Sequence, residues 1–276
     1  MNAKPILALM LGSASVQPIS AQEEVRIPSG TEEIVLTLWT PATPPDATVL
    51  LVPGWGGGPS DQLGVGRALR DTGIAVAVLT PRGWHDATGT ATFANALDDI
   101  GAALDWLEAS DRPDLSSGRL VLGGHSWGGG MSLAYAARDE EVRSVFSISG
   151  TDHAQFIRQY QSDPAFAEMV DGLLESSAAP AGPIRFSVQG TLDELAVGQQ
   201  VYGLIENAPA LADRRVLLVG GWDDVNVTID DTLLPLYRAL RRAGADSVRF
   251  ETFHADHGYG AAREELHAVL SEWIRG

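Results

Sequence analysis

Arg119-Leu120-Val121-Leu122-Gly123-Gly124-His125-Ser126-Trp127-Gly128-Gly129-Gly130-Met131 decides the reading of this 276-residue chain. Its first five residues form a short apolar run of the kind that makes a buried strand. Gly128 to Tyr135 then reads as the opening of a helix. A serine between two glycines at such a strand-to-helix turn is held in a strained backbone conformation. A Cβ on either flanking glycine would collide with the neighbouring strand and helix. The geometry lifts a hydroxyl above the sheet and points a helix N-terminus at whatever charge forms on it. Ser126 is therefore a candidate nucleophile.

Working outward, a serine of this kind needs a base and an acid, and both follow in the chain. Arg215–Gly220 is a second buried-strand pattern, ending in Gly221-Trp222-Asp223-Asp224-Val225. A carboxylate just past the C-terminal end of a strand lies on the sheet edge where ligands bind in open α/β sheets. Two aspartates compete for the acid. The spacing Gly220-x-x-Asp223 favours Asp223, and Asp224 reads as a turn or helix-capping residue. Val248–Phe253 alternates like a final strand and runs into His254-Ala255-Asp256-His257-Gly258-Tyr259. His257 is the candidate base, with Gly258 giving its loop room to bring the imidazole to Ser126, whereas His254 reads as a strand-end surface residue. A metal held by His254, His257 and Asp223 is the weaker account, because the order Ser126, Asp223, His257 explains the same residues without one. No metal or other cofactor is expected.

A further strand, Thr48–Val52, leads into Pro53-Gly54-Trp55-Gly56-Gly57-Gly58. The backbone N–H groups of Trp127, which follows the nucleophile, and of Trp55, in this glycine-rich loop, are the candidate oxyanion donors. Their indoles are candidate walls of the substrate pocket.

With these parts in place, the chain resembles an α/β-hydrolase, and within that superfamily the catalytic domains of prolyl oligopeptidase-like and dienelactone hydrolase-like enzymes. Gly-His-Ser-Trp-Gly-Gly (124–129), Gly-Gly-Trp-Asp-Asp-Val (220–225), Asp-His-Gly-Tyr (256–259) and Pro81-Arg82-Gly83-Trp84 carry the likeness, which covers about residues 30–275. It implies a serine hydrolase acting on a small-molecule ester or peptide. Neither an N-terminal propeller nor an acidic motif for gripping a free peptide amino terminus is expected from these residues, so a simple esterase is the better expectation than a peptidase. A protein that keeps the fold and binds a ligand without turnover is the rival from another class.

The expected architecture is α/β: one domain over 22–276, with a doubly wound, mostly parallel sheet and an antiparallel start. Strands are expected near 34–39, 48–52, 74–79, 119–123, 142–148, 215–220 and 248–253, and helices near 61–72, 93–110, 128–138, 231–243 and 261–274. Phe93, Leu97, Ile100, Leu104 and Leu107 recur at helical spacing and read as core. The interval 151–212 is too long for an ordinary connection. It reads as a small cap inserted after the sixth strand, with a helical pattern over Ala154–Leu174 and a break at Ala178–Pro183. Trp84, Phe156, Tyr160 and Tyr259 are the candidate substrate-binding side chains, and Phe166, Met169 and Tyr202 are further lining candidates in the cap.

Met1–Ala21 has one basic residue, Lys4, then the apolar run Ile6–Leu11, then small and polar residues. It reads as a secretory signal cleaved after Ala21, which would place the protein in the periplasm or outside the cell. Elsewhere no run approaches the roughly 18 uninterrupted apolar residues of a membrane span. A formal net charge of −17 disfavours nucleic acid and anionic membranes as partners. The chain has no cysteine, so neither disulfides nor thiol chemistry enter.

Overall fold

The computed structural model describes residues 22–58, 63–115 and 118–276. The expected signal segment 1–21 and the start of the helix expected at 61–72 lie outside them. Eight strands form one sheet: β1 (Glu23–Ser29), β2 (Glu32–Trp39), β3 (Thr48–Val52), β4 (Ala75–Thr80), β5 (Leu120–His125), β6 (Ser144–Ile148), β7 (Arg215–Gly221) and β8 (Val248–Phe253). Their order across the sheet is β1-β2-β4-β3-β5-β6-β7-β8, antiparallel at β1–β2 and β2–β4 and parallel thereafter. The expected strands all appear. β1, which sequence patterning did not mark, pairs along β2 from Glu23↔Leu38 to Ser29↔Glu32. It is an edge strand with half its residues in water, so it lacks the apolar run that betrays the central strands.

This order places the chemistry. From β3 the chain moves outward to β4, then returns past β3 to β5, so β3 and β5 are neighbours whose connections run in opposite directions. A crevice opens at the carboxyl ends of such a pair. The loop carrying Trp55 leaves β3, and Ser126 leaves β5.

Helices cover both faces. One face packs against α2 (Phe93–Glu108), α3 (Trp127–Ala136) and α8 (Leu234–Arg242), the other against α1 (Val65–Asp71) and α9 (Arg263–Arg275). Phe93, Leu97, Ile100, Leu104 and Leu107 all lie on the buried side of α2, as their spacing implies. Asp99, on the same helix, is buried and takes hydrogen bonds from Ser29 Oγ (2.6 Å), the Arg82 N–H (2.8 Å) and Arg82 Nε (2.5 Å). These contacts fix the Pro81–Trp84 loop to the helix beneath it. Among the described residues no helix is long and apolar enough to cross a membrane.

Between β6 and β7 stand α4 (His153–Ser162), α5 (Pro164–Ser177), α6 (Val188–Val197), α7 (Gln199–Tyr202) and a 3-10 turn (Ala208–Leu211), where the cap was expected. The helical pattern over 154–174 is two helices, because Asp163 precedes a proline and is held out of helical geometry at φ −120°, ψ 104°. Its carboxylate then caps α5 through the Ala165 and Phe166 N–H groups.

Polar contacts dock this cap. Arg185 donates to the carbonyls of His85, Ala87 and Gly89, and its own backbone pairs with Gly83 (2.7 Å) and Ala91 (2.8 Å). Glu194 on α6 caps the start of α2, accepting from the Phe93 N–H at 2.9 Å and the Ala94 N–H at 2.7 Å.

Candidate active site

Ser126 joins β5 to α3 at φ 54°, ψ −121°, one of four non-glycine residues with positive φ among the described residues. The flanking glycines are required by contact. A Cβ on Gly124 would lie 2.4 Å from the Gly128 carbonyl, and one on Gly128 would lie 2.3 Å from the carbonyl oxygens of Val52 and Pro53. Three hydrogen bonds hold the turn: Ser126 N–H to Ile148 O (2.8 Å), and the N–H groups of Gly130 and Thr151 to Ser126 O (both 3.1 Å). The residue is thus clamped between α3 and the end of β6, with its side chain half-exposed.

Trp55 occupies a tight turn closed by Gly57 N–H to Gly54 O at 2.8 Å, and Gly56 at φ 71° supplies the left-handed position. The N–H groups of Trp55 and Trp127 take no hydrogen-bond partner among the described residues. Two unspent donors, one at the head of α3 and one on the adjoining loop, suit a developing oxyanion. The two indoles meet edge to face at 6.0 Å. With Trp84, Phe186 and Phe93 they form a continuous aromatic wall running from the turn into the cap.

His257, in the loop after β8, pairs its Nδ1 with Asp224 Oδ2 at 2.7 Å. The expected partner was Asp223, but Asp223 is exposed and the carboxylate paired with His257 is that of Asp224. The reason is local. β7 keeps pairing past its last residue, through Trp222 N–H to Phe253 O (2.8 Å) and Asp223 N–H to Ala255 O (3.1 Å). Asp223 therefore belongs to the ladder and faces water. Only when the turn from Gly221 closes at Asp224 does a carboxylate fold inward. The turn role read for Asp224 is also present, whereas the helix that follows is capped by Thr228: the Asp224 Oδ1 accepts from the Asn226 (2.9 Å) and Val227 (3.0 Å) N–H groups. One oxygen builds the turn and the other holds the histidine. Burial pushes this carboxyl up, but hydrogen bonds from His257 and the Val227 N–H, together with the histidine's charge, outweigh it and leave it below the usual range.

The other expected pocket residues divide. Trp84 and Tyr259 are fully buried, so neither is a substrate-lining surface. Trp84 packs inside the aromatic wall. Tyr259, at φ 52°, shares a 2.8 Å hydrogen bond with Ser149, itself at φ 44° at the end of β6. Phe156 and Tyr160 are half-exposed on α4. Phe156 stacks on Phe166 at 5.4 Å, and Tyr160 donates to Asp171 at 2.8 Å, so both tie α4 to α5. Met169 is 57% exposed, and Tyr202 is buried with its hydroxyl on Glu194. His254 is exposed, and among the described residues no group of three His, Asp or Glu side chains is placed to hold a metal ion.

The sequence profile of the family described as alpha/beta hydrolase fold matches residues 47–185. A monoacylglycerol lipase from Mycolicibacterium smegmatis is 32% identical over 124 residues, 44% of this chain and 43% of the lipase, so the match spans less than half of that relative. Among solved structures, the esterase domain of a Rhodothermus marinus protein superposes with a TM-score of 0.64 at 21% identity, covering 92% of this chain and 98% of that one. The Pyrococcus furiosus esterase Pf2001 gives 0.66 at 16% identity, covering 92% and 91%. Est1E from Butyrivibrio proteoclasticus, with ferulic acid bound, gives 0.64 at 16%, covering 91% and 97%. At such identities the likeness is one of fold.

Proposed function

Because the chain belongs to the α/β-hydrolase family, we propose that it is a serine hydrolase cleaving carboxylic esters, with Ser126 as nucleophile, His257 as base and Asp224 as acid. The observation that carries this is the 2.7 Å pairing of His257 Nδ1 with buried Asp224, on a loop that contacts His125, the residue before a serine held at positive φ. Asp224 accepts the Nδ1–H, which leaves Nε2 bare and basic. His257 then takes the Ser126 proton as the oxygen attacks the ester carbonyl, and the π electrons move onto the carbonyl oxygen. The Trp55 and Trp127 N–H groups receive that oxyanion, each donor contributing about 10²–10³ in rate. Collapse expels the alkoxide, which takes the proton from His257. Water, deprotonated by the same imidazole, then releases the acid and restores Ser126.

Esters are favoured over peptides because an alkoxide needs less leaving-group assistance than an amine. A monoacylglycerol-like ester of the kind named for the Mycolicibacterium relative is the first candidate substrate to try. The test is the mass of the intact protein after treatment with a fluorophosphonate, together with turnover of acyl esters of graded length and of aminoacyl nitroanilides. A single adduct, absent in Ser126→Ala, with ester turnover well above amide turnover, is expected. Folded wild-type protein that takes no adduct and cleaves nothing overturns the reading in favour of a silent binding protein.

A further inference from the structure

The mechanism leaves His125, the residue before the nucleophile, without a task. Its Nε2 lies 3.0 Å from the backbone carbonyl of His257. A carbonyl only accepts, so Nε2 carries the hydrogen and donates. The His125 ring also lies against the His257 ring, centroids 4.7 Å apart and 41° between planes. Burial, with the nearby His257 charge, pushes the His125 imidazole down to about 4, so it is neutral at ordinary pH. Its Nδ1 is then a bare acceptor, and this atom is buried with no hydrogen-bond partner among the described residues. An unpaired buried acceptor is destabilising, because it gives up its bond to water and gains none in return. An apolar ring at 125 would avoid that cost, so the imidazole is explained by the one bond it does make.

We propose that His125 is a positioning residue, whose Nε2–H and ring hold the His257 loop so that the His257 imidazole keeps its Nδ1 on Asp224. The inference rests on the serine-hydrolase reading for its effect on rate, but its structural half stands apart from turnover. Three strands contribute. β5 brings His125, β8 leads to His257, and the loop after β7 brings Asp224. Among the described residues His257 itself makes one other hydrogen bond, through Nδ1, while the next residues of the loop are held by Arg263 on the Gly258 carbonyl and by Tyr259 on Ser149. The bond from His125 fixes its backbone, so that the imidazole cannot leave Asp224 by movement of the loop. Neutrality matters as well. A charged His125 in ring contact with His257 would oppose the imidazolium that the reaction forms.

The experiment compares His125→Phe, which keeps a ring and loses the donor, with His125→Gln, whose amide NH₂ can replace Nε2–H. Two readouts are taken on the full chain. The first is kcat and KM on an acyl ester. The second is the downfield proton resonance of the His257 Nδ1–H, assigned by its loss in Asp224→Asn. We expect kcat to fall about 10–100-fold in the Phe variant with KM little changed, as for a small misplacement of a catalytic group. The resonance should broaden in Phe and return, with most of the rate, in Gln. A sharp wild-type resonance in folded His125→Phe overturns the proposal, as does equal loss in folded Phe and Gln variants. Should the Phe variant not fold, the Gln variant decides: a retained resonance supports the bond, and its loss from folded protein refutes it. Wild-type protein that shows the resonance but cleaves no ester refutes the hydrolase reading and leaves the positioning role intact.

Discussion

At the scale of single residues, the acid is the point on which sequence and structure part. Two adjacent aspartates follow β7, and spacing from Gly220 selects Asp223, whereas the structure gives His257 to Asp224. Which aspartate meets His257 depends on how far the β7–β8 ladder runs beyond the last strand residue, a property of two chain segments that neither one encodes alone. Asp224→Asn is accordingly expected to lower kcat by about 10⁴, because an amide at this position stabilises the wrong imidazole tautomer. Asp223→Asn, on the exposed side of the turn, is expected to leave kcat within a few-fold. Steady-state kinetics of the two variants check this, and equal losses would sink the assignment. The same logic explains why Tyr259 and Ser149 were missed as partners. Their positive φ values are forced by loop ends that meet only in the folded molecule.

Elements were far more legible, because their signals are periodic and local. The central strands are continuous apolar runs, α2 shows its helical stripe, and the glycines around Ser126 report a close approach, in which an added Cβ would meet backbone atoms at 2.3–2.4 Å. Gly128→Ala should therefore cost more than propensity alone. Its Cβ meets two carbonyl oxygens in β3 and the loop after it, so the helix must move and carry the Trp127 N–H with it. A loss of at least 1–3 kcal/mol and of fluorophosphonate labelling is expected, read by urea unfolding and by mass. Fainter were the edge strand β1, whose largely exposed residues carry no apolar run, and the docking of the cap, which depends on Arg185 and Glu194, distant in sequence from their partners. Glu194 receives two orphan N–H groups at the start of α2, about 100 residues away in sequence. Glu194→Ala should cost about 1–2 kcal/mol, as for a lost cap. Hydrogen exchange should rise at Phe93 and Ala94 and across α6, and unchanged exchange there would count against the docking role.

For the whole molecule, the acidic surface and two histidines, His153 buried and His125 partly so, push stability in different directions as pH falls. Burial lowers His125 to about 4 and His153 likewise to about 4, although His153 gains something from its contact with the Trp127 carbonyl. Their ordinary value is about 6.5. Above that value both are neutral whether the chain is folded or not, and they cost nothing. Below it the unfolded chain binds protons that the folded chain refuses, so stability drops from about pH 6.5 until the folded groups titrate near 4. At pH 5 each histidine should therefore cost about 2 kcal/mol, against a total of about 5–15 kcal/mol for a domain. Relief of repulsion from the −17 net charge comes later, because ordinary carboxylates take up protons only near pH 4. Asp99 and Asp152, raised by burial, also favour the folded state as they protonate. A difference between two proteins cancels these common contributions. His153 packs on Phe93 at 4.9 Å in an aromatic setting that accepts another ring, and it lies outside the proposed catalytic set. In His153→Phe the loss of stability between pH 7.5 and pH 5 should shrink by about 2 kcal/mol, measured by urea unfolding at both values, whatever the offset at pH 7.5. An unchanged pH dependence would mean that His153 keeps its proton inside the fold, and would remove burial of that imidazole as a cause of acid sensitivity.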